Sequence, residues 1–148
     1  MPPLFLAGTL MIGNAMAENR SLLLDDFANA NGRSAIGTEW RGFTDRVMGG
    51  VSDMNTEYVN TDRGAALRMS GDVRLENNGG FIQARLPLKR DGSSFDASAY
   101  RAIAVTVRGK SGPYYLHLRT RDARRPWQYY AAPLQVSAEF QRRIVPFR

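Results

Sequence analysis

Ala65-Ala66-Leu67-Arg68-Met69-Ser70-Gly71-Asp72-Val73-Arg74-Leu75-Glu76-Asn77-Asn78-Gly79-Gly80-Phe81-Ile82-Gln83-Ala84-Arg85-Leu86 is the stretch that decides the fold class. Ala65, Leu67 and Met69 alternate with Ala66, Arg68 and Ser70. An extended chain puts neighbours on opposite faces, so this period of two marks a half-buried strand. Gly71-Asp72 turns the chain, and Val73 and Leu75 then alternate with Arg74 and Glu76. After a second turn at Asn77-Asn78-Gly79-Gly80, Ile82, Ala84 and Leu86 share one face against Phe81, Gln83 and Arg85. Short strands joined by Gly, Asn and Asp turns predict antiparallel pairing.

The same pattern extends in both directions. Ser21 to Phe27 reads as a first strand, residues 28–37 as loop, and Thr56 to Asn60 as a short strand. Ile103, Val105 and Val107 alternate with Ala102, Ala104, Thr106 and Arg108. Tyr114, Leu116 and Leu118 share one face; Tyr115, His117, Arg119 and Arg121 share the other. Trp127 to Ala132 and Arg143 to Phe147 read as the last strands. No segment sustains a helical apolar period, so the fold class is all-β, an antiparallel β-sandwich.

Composition narrows the function classes. The 148 residues suffice for one domain with a real core. Hydrophobic residues at 43% and charged ones at 23% exclude wholesale disorder. With no cysteine there is no disulfide, thiolate nucleophile or cysteine metal site. Net charge is +6, but the arginines are spread, with small groups at Arg119-Arg121-Arg124-Arg125 and Arg142-Arg143-Arg148. None is the long basic block of a nucleic-acid tail, so nucleic acid is not the expected partner.

Residues 1–17 are uncharged, with an apolar run from Leu4 to Ile12 and Ala15-Met16-Ala17 before the polar Glu18-Asn19-Arg20. That is the shape of a secretory signal peptide cleaved after Ala17, although no Lys or Arg precedes the run. Residues 18–148 would then be the β-sandwich domain, periplasmic or exported. The other reading is an apolar N-terminal extension, packed on the domain or disordered, of a cytoplasmic protein. The run is too short for a membrane-spanning helix.

Upstream of the deciding stretch lies Trp40-Arg41-Gly42-Phe43-Thr44-Asp45-Arg46-Val47-Met48-Gly49-Gly50-Val51-Ser52. The Gly pair marks a tight turn or a close backbone approach. Trp40, Phe43, Val47 and Met48 are expected to pin this loop to the body as apolar anchors.

Catalysis needs a nucleophile with a base, a carboxylate pair or a metal. His117 is the single histidine, no Gly-x-Ser-x-Gly elbow exists, and Gly79-Gly80 lacks the Lys of a phosphate loop. No catalytic residue, metal or cofactor is expected. The loaded feature is the polar face of Tyr115, His117, Arg119 and Arg121. Gln83 and Arg85 join it if the two strands share a sheet, and Trp127 or Tyr130 adds a ring, depending on register. Such aromatic and guanidinium groups suit a protein hot spot or sugar binding.

Asp45-Arg46-Val47-Met48-Gly49-Gly50-Val51-Ser52 resembles the signature of the complex I intermediate-associated protein 30 family. Asn78-Gly79-Gly80-Phe81 with Ala84-Arg85, Phe95 to Ile103, Val107-Arg108-Gly109, Tyr114-Tyr115-Leu116, Trp127-Gln128-Tyr129-Tyr130 and Val145-Pro146-Phe147 follow in family order. The resemblance implies a galactose-binding-domain-like jelly roll. Family members usually continue past the Pro-Phe element, so either the last strands of the expected jelly roll are absent here or the chain is a truncated family member. It also implies a non-catalytic, chaperone-like assembly factor that binds unassembled complex I subunits. The contact surface would comprise Asp45, Met48, Gly49, Gly50, Arg85, Tyr115, His117, Arg119, Arg121, Trp127 and Tyr130. The alternative is an exported carbohydrate-binding jelly roll with Tyr115, Trp127 and Tyr130 as stacking rings.

Overall fold

The alternating stretch forms strand β5 (Gly64–Asp72), paired along its whole length with β4 (Asp53–Thr61), from Asp53 opposite Asp72 to Thr61 opposite Gly64. The structure is a computed structural model that describes residues 4–13, 21–29, 31–125 and 128–147. Its other strands are β1 (Leu4–Gly13), β2 (Ser21–Asp25), β3 (Arg41–Thr44), β6 (Ile82–Arg85), β7 (Ala102–Gly109), β8 (Tyr114–Leu118), β9 (Tyr130–Leu134) and β10 (Gln141–Pro146). Every pairing is antiparallel. Among the described residues the large sheet runs β10-β7-β1-β5-β4, with β2 also on β1. Two ribbons, β3-β6 and β8-β9, stand apart from it.

The core lies between the large sheet and the ribbons. Leu67 and Met69 of β5 and Ile103, Val105 and Val107 of β7 form one buried cluster with Leu24, Phe27, Tyr114 and Leu134. Ile82, Ala84, Leu116 and Leu118 from the ribbons pack against it. The period of two therefore does what it implied: odd positions of β5 and β7 enter the core. Each such aliphatic side chain contributes about 1.5–3 kcal/mol by leaving water. On the outer side of the sheet Ala66 is covered by Phe140, over whose ring the Arg108 guanidinium sits at 4.4 Å. The chain is an all-β antiparallel sandwich.

Two expectations are changed by the structure. Val73 to Glu76 is not a strand: a 3-10 turn occupies Glu76–Asn78, Asn77 and Asn78 adopt positive φ, and Leu75 is exposed. Two alternating pairs are too few to hold an extended chain without a partner strand. The loop around Trp40 contains β3, which pairs with β6. Residues 4–13, within the stretch read as a leader or an apolar extension, supply β1, paired with β2, β5 and β7.

Candidate functional site

Two carboxylates fix the ends of the Trp40 to Asp53 segment. Asp25, at the end of β2, is buried, and its Oδ2 accepts from Trp40 Nε1 at 2.7 Å while Oδ1 accepts from Phe27 N at 2.9 Å. Trp40 thereby packs beside Phe27, ring centroids 5.9 Å apart. Asp45 opens a 3-10 turn (Asp45–Met48) capped by Thr44, whose Oγ1 accepts from Arg46 N at 3.1 Å. Gly49 closes that turn at φ 87°, a conformation that a side chain disfavours.

Asp45 is fully buried, yet among the described residues no cation pairs with it; polar hydrogens surround it instead. Oδ1 accepts from Ser52 N at 3.0 Å. Oδ2 accepts from Ser52 Oγ and Gly80 N, both at 2.5 Å, and from Phe81 N at 3.3 Å. Ser52 Oγ in turn accepts from Arg74 N at 2.9 Å, and Asn77 Nδ2 donates to Gly49 O at 3.1 Å. Burial by itself raises the Asp45 pKa. The hydrogen bonds from the Ser52 side chain and from the backbone N–H groups of Gly80, Ser52 and Phe81 outweigh it, bringing the value down to about 2. The folded pKa lies below the ordinary 3.8, so the stabilisation is complete above that value and is lost as pH falls through about 2. Acid unfolding followed by circular dichroism should therefore show a carboxylate-linked loss of stability between about pH 4 and pH 2.

Both Gly pairs serve this carboxylate. A Cβ at Gly50 would fall inside the Asp45 carboxyl group, and one at Gly79 would sit 2.5 Å from Oδ2. Asp45 cannot yield without leaving its donors. Gly50→Ala and Gly79→Ala are each expected to cost about 1–3 kcal/mol by overpacking, read as a fall in the thermal midpoint. A melt unchanged in both variants would contradict this packing.

What the brace holds out is apolar. Val47 is 72% exposed, Met48 59% and Leu75 76%. The expectation that Val47 and Met48 anchor the loop is thus corrected: Trp40 and Phe43 are half-buried, and Asp45 replaces the other two as the anchor. Arg46 adds a further tie, donating from Nε to Ser52 O at 2.9 Å and from Nη2 to Asp53 Oδ1 at 2.7 Å.

The β8-β9 ribbon carries the second group. Its register places Tyr115 opposite Pro133 and His117 opposite Ala131. Tyr129 stacks on His117, centroids 4.0 Å apart and 15° between planes, and Tyr115 lies 6.3 Å from His117 on the other side. Burial lowers the His117 pKa, which favours the neutral ring within the stack. Tyr130 faces the opposite side of the ribbon, opposite Leu118, so Tyr129 rather than Tyr130 completes the aromatic row. Arg119 donates to Arg125 O at 3.4 Å, and Arg121 is exposed, close enough to Asp96 to help lower its pKa after the hydrogen bonds from Ser98. Arg85 does not join this face: it lies opposite Arg41 in the β3-β6 ribbon, a separate sheet. Trp127 lies outside the described residues. Among the described residues no group of three or more His, Asp or Glu is placed to hold a metal ion.

Sequence reasoning missed Ser52, Gly80 and Phe81 as partners of Asp45, and Val47, Leu75 and Tyr129 as exposed groups. The repeated Gly-Gly pair was the available signal: both pairs approach one side chain.

No curated protein and no solved structure matches the chain. The family model described as complex I intermediate-associated protein 30 matches residues 26–148, which include the Asp45 loop, the second Gly pair and the β8-β9 ribbon. By that match, over most of its length, the chain belongs to the complex I intermediate-associated protein 30 family.

Proposed function

We propose that this chain is a non-catalytic protein-binding domain that holds an unassembled subunit during assembly of the NADH dehydrogenase complex. Family membership supports an assembly-related role. The observation that carries the binding reading is the exposure of Val47, Met48 and Leu75 on loops immobilised by Asp45. Large apolar side chains on a braced scaffold bury surface on contact with little ordering cost, as binding hot spots do. Exposed Tyr115 and Tyr130 of the β8-β9 ribbon, and Arg121 in the connection between its strands, offer aromatic and guanidinium groups of their own.

The carbohydrate reading has weaker support. Tyr115 and Tyr130 lie on opposite sides of their ribbon and form no common platform. One face of His117 is covered by Tyr129.

The test is co-purification of respiratory-complex subunits with the full-length chain and with a Val47→Ser, Met48→Ser, Leu75→Ser triple variant. Loss of three exposed anchors is expected to weaken capture on the order of 100-fold, with an unchanged melting midpoint because none belongs to the core. Equal capture by the triple variant would sink the assignment of this surface.

A further inference from the structure

We infer that the gap between β5 and β7 is a strand-acceptor slot for an uncharged, extended apolar segment of a protein partner, and that residues 4–13 are its resident plug. This rests on the protein-binding reading above and names where the client would enter.

The walls come first. β5 and β7 both run antiparallel to β1, so they run parallel to each other, one strand width apart on either side of Leu4 to Ala7; from Leu10 to Gly13 β2 takes the place of β5 as the wall opposite β7. That separation is about 9–10 Å, room for a single extended chain with a hydrogen-bonding edge on each flank. Leu67, Val105 and Val107, among the most buried side chains described, line the core side of these walls. Both walls belong to the family-matched residues 26–148; the strand between them does not.

The plug fits its slot incompletely. Against β5 only Leu4 to Ala7 pair, opposite Met69 to Ala66. Beyond Ala66, Ala65 and Gly64 of β5 have no partner among the described residues of β1, although both pair with β4. Against β7 the pairing is interrupted between Ala7 and Met11, and against β2 the register shifts between Leu10 and Met11. A segment in continuous register would gain the ladder bonds that β1 leaves unmade.

The register also states the chemistry of the guest. Leu4 and Leu6 stand opposite Met69 and Leu67, and Leu6 and Ile12 opposite Val107 and Ile103, all of which are core positions. Residues 4–13 carry no charge. A charged residue at these places would be stranded between core strands. The guest is thus recognised as in other strand-addition complexes: main-chain bonds give affinity, and alternate apolar side chains give selectivity. An empty slot would expose two strand edges to chance pairing, which is the reason for a plug.

The experiment uses the unmodified full-length chain and a fluorescent synthetic peptide of residues 2–17 carrying a lysine tag. Peptide anisotropy should rise on incubation, whereas a peptide with Leu6→Pro, which cannot donate at mid-strand, should not bind. Hydrogen exchange during incubation should show amides of residues 4–13 losing protection while those of β5 and β7 keep theirs. A full-length Leu6→Ser variant, whose own strand competes less well, should bind the peptide on the order of tenfold more tightly. Absence of peptide uptake, or loss of protection in residues 4–13 only together with β5 and β7, would overturn the inference. So would uptake that proceeds by swapping residues 4–13 between two copies of the chain. Failure of the binding reading looks different: peptide uptake as described, but no respiratory subunit captured by the full-length chain.

Discussion

Asp45→Ala is expected to leave no folded protein at 37 °C, and Asp45→Asn to recover little of the loss. The carboxylate accepts four hydrogen bonds in a site without water-exposed surface, and three of its donors are backbone N–H groups that cannot turn elsewhere. Removing the acceptor strands them, and buried unpaired donors cost far more than a hydrogen bond's net worth. An amide fails for a related reason. Donors address both oxygens, so the Nδ2 of asparagine must point its hydrogens at N–H or O–H groups whichever way it flips. Ser52→Ala calibrates the effect. It deletes one bond to the carboxylate and orphans Arg74 N, at about 2 kcal/mol, or about 4–8 °C in the melting midpoint. The aspartate variants should fall well below that in the same thermal melts. Asp45→Ala melting within a few degrees of the parent would show that the loop is held by something else.

Removing residues 1–17 is expected to produce the second large effect. β1 pairs with β5 on one side and β7 on the other, and its deletion leaves both edges open in the middle of the large sheet. At about 1 kcal/mol net per ladder bond the loss is several kcal/mol, against a typical total of about 5–15 kcal/mol. The shortened chain should melt at lower temperature and self-associate through the exposed edges on size-exclusion chromatography. A monomeric shortened chain with the parent's melting midpoint would show that the sheet does without the strand, as processing of a leader after Ala17 requires.

Most of the sandwich was legible because its strands carry their own signal. Ala65 to Met69 and Ile103 to Val107 alternate, and Leu67, Met69, Ile103, Val105 and Val107 enter the core cluster as alternation demands, while Ala66 and Ala104 on the other face are small enough to be covered as well. The brace was not legible. Nothing local to Asp45 says that the N–H groups of Gly80 and Phe81 will reach it from 35 and 36 residues away. The loop's place was readable from its composition, but its anchors were assigned to Val47 and Met48, and apolar character alone does not distinguish a buried anchor from an exposed one. The sequence leaves the aromatic row open at its register, between Trp127 and Tyr130. The connection between β8 and β9 is too long for a tight turn to set which residues face each other, so the ring beside His117 is Tyr129 and not Tyr130. Leu4 to Gly13 shows the limit of pattern reading: an uncharged apolar run has the same composition in a leader as in a central strand.

The place of β1 in the sheet also sets a timetable for biosynthesis. Leu4 is translated before its neighbours Met69 and Gly109, which follow 69 − 4 = 65 and 109 − 4 = 105 residues later. At ribosomal speeds of about 5–20 residues per second, Leu4 to Ala7 wait on the order of ten seconds for β5 and β7, while only β2, beside Leu10 to Gly13, is made sooner. During that interval it is a sticky nascent segment, and a cell making this protein must shelter it until the rest of the sheet emerges.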